Sequence, residues 1–515
     1  MTLTQTAEDL GPATPELTPL ITASEMFPEL ERLVLNAREE VLLAFRIFDA
    51  RTALHSPEAL NKGLKTWADL FAHTAERGVQ IRLLLADFDP VFTPDLHREA
   101  WASAGRFESR TVNHPNAEIV CALHNCAPAP LWTYLFAPAI AKRRARLRKM
   151  PHEHLTPLQL QALDGPFTLR PVTLHQKFAI ADQTRAIIGG IDVDERRWDD
   201  HDHNQRPEDT WHDVSMAVTG KIVGDLRDHF ATCWKRSIDD CGTVFSHEAT
   251  ELPPAKTAPN DEREDDDGVD LLRTVSTHIS HPIRFGPVTE TKEHESAYID
   301  AVNSAEHSIY IETQFLRHLP LARAMAQRGR DVPDLNLILV LPTEPERVIF
   351  GANTGMDARH AQALQLKCLT MLRRAYGDRL AIVSPAQAWA APEGTRMPVA
   401  GSGIIYLHSK VMLIDNALGI VGSANLNGRS LLWDTEASVR FRDAETIDTL
   451  RTRLASKWLR TADHGPIDLA PSWMDAARAA EQVSPEDREA MILPYPERRN
   501  RRFARYIPIL PAAMF

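Results

Sequence analysis

The sequence predicts an α/β protein of two similar halves, each a mixed β-sheet flanked by helices, packed about a pseudo-twofold axis with one site at the seam. Three observations carry this. First, two segments repeat the same residue types: LHQKFAIADQTRAIIGGID, with His175, Lys177, Asp182, Gly189, Gly190 and Asp192, and LHSKVMLIDNALGIVGSAN, with His408, Lys410, Asp415, Gly422, Ser423 and Asn425. Each residue of the first stands 233 positions before its counterpart in the second, so neither copy carries an insertion. Second, helical periods alternate with near-continuous apolar strands around both copies, the pattern of helix-covered sheets. Third, EATELPPAKTAPNDEREDDDG, rich in proline and acid, lies between the copies and has the composition of a linker.

The elements follow in order. Residues 1–23 have no basic start and no apolar run, so they read as a flexible N-terminus without a Sec-type signal peptide. Residues 24–247 form the first half. ELERLVLNAREEVLLAFRIFD, from Glu29, reads as an amphipathic helix entering a buried strand, and RGVQIRLLLADFD supplies another strand. Residues 248–275 are the linker and 276–461 the second half, where AYIDAVNSAEHSIYIETQFLR and DLNLILVLPTEP repeat that order. In both motifs the His-Lys pair opens a strand that alternates outward polar and inward apolar residues, and a second strand leads into the small-residue turn. Residues 462–515 form a tail with a helix over 471–482 and a basic, then apolar, end that wraps back onto the body.

Composition bounds the function. With 43% apolar and 25% charged residues the chain reads as soluble and globular, and no stretch is apolar enough to span a bilayer. A net charge of −12 argues against a general nucleic-acid binder. Five cysteines without metal-like spacing read as free thiols in a reducing compartment. The H-x-H pairs His152/His154 and His201/His203 read as solvated or substrate-facing loop residues, so neither a metal nor a cofactor is expected.

A lone H-x-K reads as a surface strand; a duplicated one suggests chemistry. An imidazole that attacks phosphorus needs a second group to protonate the departing alcohol, and two facing histidines supply both. Two lysines beside them neutralise the non-bridging oxygens. Asp182 and Asp415 each follow their motif's strand and read as structural turn residues, with Gly189, Gly190 and Gly422 allowing close backbone approach. Trp132, Tyr134 and Phe136 precede a basic run containing Arg143 and Arg144, a combination that suits a membrane interface as well as a core segment followed by a solvated helix.

The two motifs resemble the signature of the phospholipase D superfamily: H-x-K, four residues, D, six residues, G-G or G-S, then N or D. NLNGRSLLWDTEASV continues the second motif in that family's manner, YIETQFL resembles the strand before it, and WHDVSMAVTG is similar to the lipid-acting, eukaryotic-like branch. Asp192 and Thr313 stand where many members have Asn. The resemblance implies that His175 attacks phosphorus to give a phosphohistidine, that His408 protonates the leaving group and then activates water, and that these roles are exchangeable by symmetry. It implies that Lys177, Lys410 and Asn425 hold phosphate oxygens, with Asp192 and Ser423 at the margins. It also implies that Glu436 orients His175 and Asp213 orients His408, across the halves.

The expected function is therefore a phospholipase D that hydrolyses phosphatidylcholine or phosphatidylethanolamine, with transphosphatidylation built in. The expected partner is a phospholipid surface and no nucleic acid, and the expected state is a monomer. A cardiolipin-synthase-like transferase, a nuclease and a non-catalytic lipid-binding protein are the alternatives. The expected location is cytoplasmic or membrane-peripheral, or export by a signal-less route.

Overall fold

The computed structural model describes residues 15–165, 167–255, 267–278, 281, 283–344, 346–349, 355–396 and 398–515. Two mixed sheets carry it. The first contains β1 (Leu17–Ile21), β2 (Glu40–Phe45), β3 (Gln80–Ala86), β4 (Ala117–Ala122), β5 (Phe178–Ala181), β6 (Arg185–Gly189), β7 (Val214–Thr219) and β8 (Gly242–Val244), in the order β1-β7-β6-β5-β2-β3-β4-β8. The second contains β9 (Val269–Thr277), β10 (Val288–Lys292), β11 (Ser308–Thr313), β12 (Asn336–Val340), β13 (Leu380–Ala390), β14 (Ser402–Ile404), β15 (Lys410–Ile414), β16 (Leu418–Gly422), β17 (Glu436–Phe441) and β18 (Ile492–Pro494). Its order is β10-β9-β17-β16-β15-β11-β12-β13-β14, with β18 added to β13.

The repeat is visible in the pairing. β2, β3 and β4 run parallel, as do β11, β12 and β13. β5 lies antiparallel to β2 and opens the meander β5-β6-β7, just as β15 lies antiparallel to β11 and opens β15-β16-β17. Parallel strands need a crossover, and the helices Trp67–Glu76, Pro94–Thr111, Leu319–Asp331 and Met356–Tyr376 supply them. One apolar cluster takes residues from both sheets, including Ile188, Met216 and Trp234 of the first half and Val421, Val439 and Trp458 of the second. The inner faces therefore share a core, while separate clusters fill beneath the outer helices of each half.

Several sequence expectations are corrected here. Leu17–Ile21, expected within a flexible terminus, is an edge strand paired with β7, because its apolar residues complete the first sheet. β9 begins at Val269, inside the stretch expected as linker, and pairs with β17 along its length. Residues 1–14 and 256–266 of those two segments lie outside the described residues. The tail adds β18 and packs the helix Ala470–Gln482 on the second sheet through Trp473, Ala476, Ala477 and Ala480. The motif strands do not alternate between solvent and core. The motif histidines and lysines are buried, and so are Gln176 and Ser409 between them, because helices or the other half cover both faces. Gln176 accepts a hydrogen bond from His229 Nε2 at 2.6 Å.

Candidate active site

The two H-x-K segments meet where the sheets face each other. Each imidazole lies just before its strand, in a stretch that pairs with the opposite half. The amide of His175 donates to the carbonyl of Thr435 at 2.8 Å, and Thr435 donates back to Thr173 at 3.1 Å. Across the pseudo-twofold axis, His408 donates to His212 at 2.8 Å and His212 to Tyr406 at 2.8 Å. These short parallel bridges set the start of β17 beside His175 and the start of β7 beside His408.

The side chains follow from that placement. His175 Nδ1 lies 3.0 Å from Glu436 Oε2, and His408 Nδ1 lies 2.6 Å from Asp213 Oδ2. With Nδ1 donating to a carboxylate, each ring keeps Nε2 for a ligand. Lys177 Nζ donates to the carbonyl of His175 at 2.6 Å, and Lys410 Nζ donates to that of His408. Trp211 walls one side of His408, with ring centroids 4.8 Å apart, and the guanidinium of Arg197 stacks on Trp211 at 3.7 Å. All four motif residues are at most 9% exposed, so charge here acts through little solvent.

Burial dominates the proton affinities. It holds both imidazoles well below their usual range, helped for His175 by the charges of Lys177 and Arg46 and for His408 by Lys410 and Arg197. It pushes Glu436 up to about 8 against the pull of Lys177, and Asp213 up to about 6 against Lys410. It lowers Lys410 to about 7 and also lowers Lys177, with Asp213 and Asp192 respectively resisting. An anion placed between the imidazoles reverses their shift, because negative charge stabilises an imidazolium.

The remaining motif residues divide into supports and margins. Asp182 accepts hydrogen bonds from the amides of Arg38, Glu39 and Glu40, and Asp415 from those of Glu306, His307 and Ser308. Each ties its motif turn to the start of a central strand. A Cβ on Gly190 would sit 2.1 Å from Asp213 Oδ1, so only glycine leaves room for that carboxylate. A Cβ on Gly189 or Gly422 would likewise sit 2.1 Å from the hydroxyl of Ser215 or Ser438. Ser423, expected at the edge of a phosphate site, is instead fully buried: its hydroxyl donates to Glu436 Oε2 at 2.5 Å and accepts from Ala437 N at 3.0 Å. It supports the carboxylate because its side chain points back under β17. Asp192 and Asn425 are buried at the seam, and Asp192 Oδ2 lies 3.8 Å from Lys177 Nζ.

Away from the motifs, the interface expectation is partly corrected. Arg143 stacks on Phe92 and donates to its carbonyl, and Arg144 donates to Gly165, so both anchor their helix to the body. Trp132 donates to Ile283 O and packs on Phe285, with Phe136 beside it. Tyr134, 77% exposed, stands out with Leu131, Leu135 and Ile283. His203 is fully buried against Asp199 rather than solvated, because Trp458 and His212 pack around it. Among the described residues no group of three or more His, Cys, Asp or Glu side chains is arranged to hold a metal ion.

Sequence reading missed the layer behind the site. Glu312 is fully buried and accepts from His212 Nε2, Ser409 Oγ, Tyr310 OH and Trp458 Nε1 at 2.6–2.9 Å. Four donors and the His212 charge hold it at about 2 despite burial. A charged residue inside the apolar strand YIETQFL was the available signal.

Two family models match the chain. A family model described as "Phospholipase D" matches residues 198–318, and one described as "Cardiolipin synthase, PLD-like domain" matches 298–458. The chain is 25% identical over 349 residues to "Phospholipase D A" of Dictyostelium discoideum, covering 54% of this chain and 25% of that protein. It is 26% identical over 282 residues to human "Phospholipase D1", covering 48% of this chain and 25% of that protein. The chain thus spans about a quarter of the length of these relatives. A phosphatidylserine synthase of Haemophilus influenzae Rd KW20 shares the fold, with a TM-score of 0.51 at 12% identity over 86% of this chain and 85% of that one.

Gly190→Ala tests the packing of the orienting carboxylate. The added methyl displaces Asp213, so the His408 Nδ1 proton loses its carboxylate partner. In proton NMR, one of the two low-field imidazole N–H signals disappears while the Glu436-bonded signal of His175 stays.

Proposed function

We propose that this chain, which belongs to the phospholipase D superfamily, is a phospholipase D acting on glycerophospholipids through a phosphohistidine. The observation that carries the proposal is the pairing of each imidazole's Nδ1 with the other half's carboxylate, which leaves Nε2 of both rings for a ligand. His175 Nε2 attacks phosphorus as the bond from phosphorus to the head-group oxygen breaks, and His408 gives that oxygen its proton. His408 then takes a proton from water, whose oxygen attacks the same phosphorus and frees His175 with phosphatidic acid as product. An alcohol in place of water gives transphosphatidylation. Lys177, Lys410 and Asn425 hold the non-bridging oxygens, and the covalent step needs no group beyond these side chains.

The substrate is taken from a membrane surface. No helix among the described residues is long and apolar enough to cross a membrane. Leu131, Tyr134, Leu135 and Ile283 form an exposed apolar patch, and Lys142, Arg146 and Lys149 lie exposed in or just after the adjoining helix. A peripheral enzyme resting on anionic lipid has this arrangement. A phosphatidyltransferase is the second reading, because the second half matches the model described as "Cardiolipin synthase, PLD-like domain". It differs only in the acceptor.

Purified protein in excess EDTA, given phosphatidylcholine and phosphatidylethanolamine vesicles with a little ethanol, should release head groups and form phosphatidylethanol, while H175A does neither. Product only when a lipid alcohol is supplied selects the transferase. Inertness toward both lipids with either acceptor overturns the proposal.

The pH profile is a second test. Asp213 at about 6 and Glu436 at about 8 give the two imidazole–carboxylate pairs different proton affinities. Between those values the two pairs together hold one extra proton; it sits mainly on His175–Glu436, and the reaction uses the minor form in which His408–Asp213 carries it, which leaves the limbs of the profile where they are. Below about 6 both pairs are protonated; above about 8 neither is, and Lys410 has also lost its charge. kcat/KM should therefore follow a bell with its maximum between these limbs, and a rate that rises steadily through pH 9 contradicts the assignment.

A further inference from the structure

The halves differ in one pair of residues beside the phosphate site. β2 and β11 flank the two motif strands in the same way, with Ala44 opposite Phe178 and Thr313 opposite Lys410. Continuing the first register by one residue sets Phe45 against Lys177 and makes Arg46 the counterpart of Gln314, as Asp192 is of Asn425. Where the second half has two neutral amides, the first has a cation and an anion.

The local geometry shows what this does. Asp192 Oδ1 accepts from the amide of Ile47, the residue after Arg46, at 2.9 Å. Its Oδ2 is buried without a hydrogen bond, 3.8 Å from Lys177 Nζ. That carboxylate cancels much of the ammonium charge the first half would offer an incoming anion. The second half has no such loss at Asn425. Arg46 lies on the same strand end, its guanidinium over the ring of Phe88 at 5.2 Å and its Nε buried without a hydrogen-bond partner. Its positive charge is felt at both His175 and Lys177. A buried guanidinium nitrogen without an acceptor is costly unless a ligand supplies one.

We infer that Arg46 is a phosphate-binding residue of the first half, supplying the cationic contact that Asp192 withdraws from Lys177. The inference rests on the reading that the seam binds a phosphodiester. Arg46 then offsets the charge that Asp192 withdraws from Lys177, and together the two residues equal the amide pair across the axis.

The test is a charge cycle on the full chain: R46Q, R46K, D192N and D192N/R46Q, each checked for folding by circular dichroism. Two readouts are used, kcat/KM on the lipid diester and the dissociation constant for inorganic phosphate. R46Q should lose about a hundredfold in kcat/KM and weaken phosphate about tenfold, with R46K keeping most of both. The double variant, which rebuilds the second half's amide pair in the first, should recover about tenfold over R46Q. D192N alone should tighten phosphate, and this arm holds even where R46Q does not fold. The inference is overturned if wild type binds no phosphate, if R46Q binds it as tightly as wild type, or if the double variant is no better than R46Q. It is likewise overturned if D192N leaves phosphate affinity unchanged. A wild type that hydrolyses lipid while R46Q matches it sinks this inference alone. Phosphate affinities that follow the cycle in a protein inert to lipid sink the phospholipase reading alone.

Discussion

Two short main-chain bridges across the seam hold the candidate site together. Thr435 is clasped between Thr173 and His175, and His212 between Tyr406 and His408. Each bridge fixes one motif histidine against the strand that carries the other half's carboxylate. Neither half contains the carboxylate partner of its own motif histidine, so the duplication and the packing of the two sheets become a single requirement. Removing one partner of a buried pair typically costs about 3–5 kcal/mol, because the other is left without compensation. The site is thus among the contacts that fix how the halves dock.

A sealed seam also explains the electrostatics. Asp192, Asp213 and Glu436 share a nearly dry space with Lys177, Lys410 and both imidazoles. Burial penalises charge there, which drives Asp213 and Glu436 up and the imidazoles and ammoniums down. A single diester anion suits such a cluster, since it lets the cations keep their charge. Glu312 holds the arrangement from behind. It binds His212, which carries one bridge, and Ser409, which separates His408 from Lys410. Loop residues could not hold these side chains as firmly as strand ends backed by a buried carboxylate.

Much of this was legible from the residues. The constant offset of 233 between the motifs predicted two halves, and apolar runs such as RLLLA and NLILV gave the parallel strands because both faces of those strands are covered. What failed had physical reasons. The alternation in HQKFAIAD suggested a wet face, but a sheet whose two faces are both packed buries its polar residues too, and Gln176 finds His229 instead of water. Ser423 read as a phosphate contact because its chemistry allowed it; only the position of β17 shows that its hydroxyl serves Glu436. Arg143 and Arg144 read as free basic residues, since sequence does not show that Phe92 and Gly165 lie beneath them. Edge strands such as β1 and β18 are short, and proline-containing segments conceal them.

The central claim is that two halves build one covalent site with His175 as its nucleophile. The most direct measurement is to mix the protein with a phosphatidyl ester of p-nitrophenol, whose departure needs no acid, quench within the first turnover and map the adduct by mass spectrometry. A phosphatidyl group on His175, absent in H175A, is the predicted result. An adduct on His408 would reverse the two roles, and a burst of nitrophenol with no protein adduct would contradict the covalent mechanism itself.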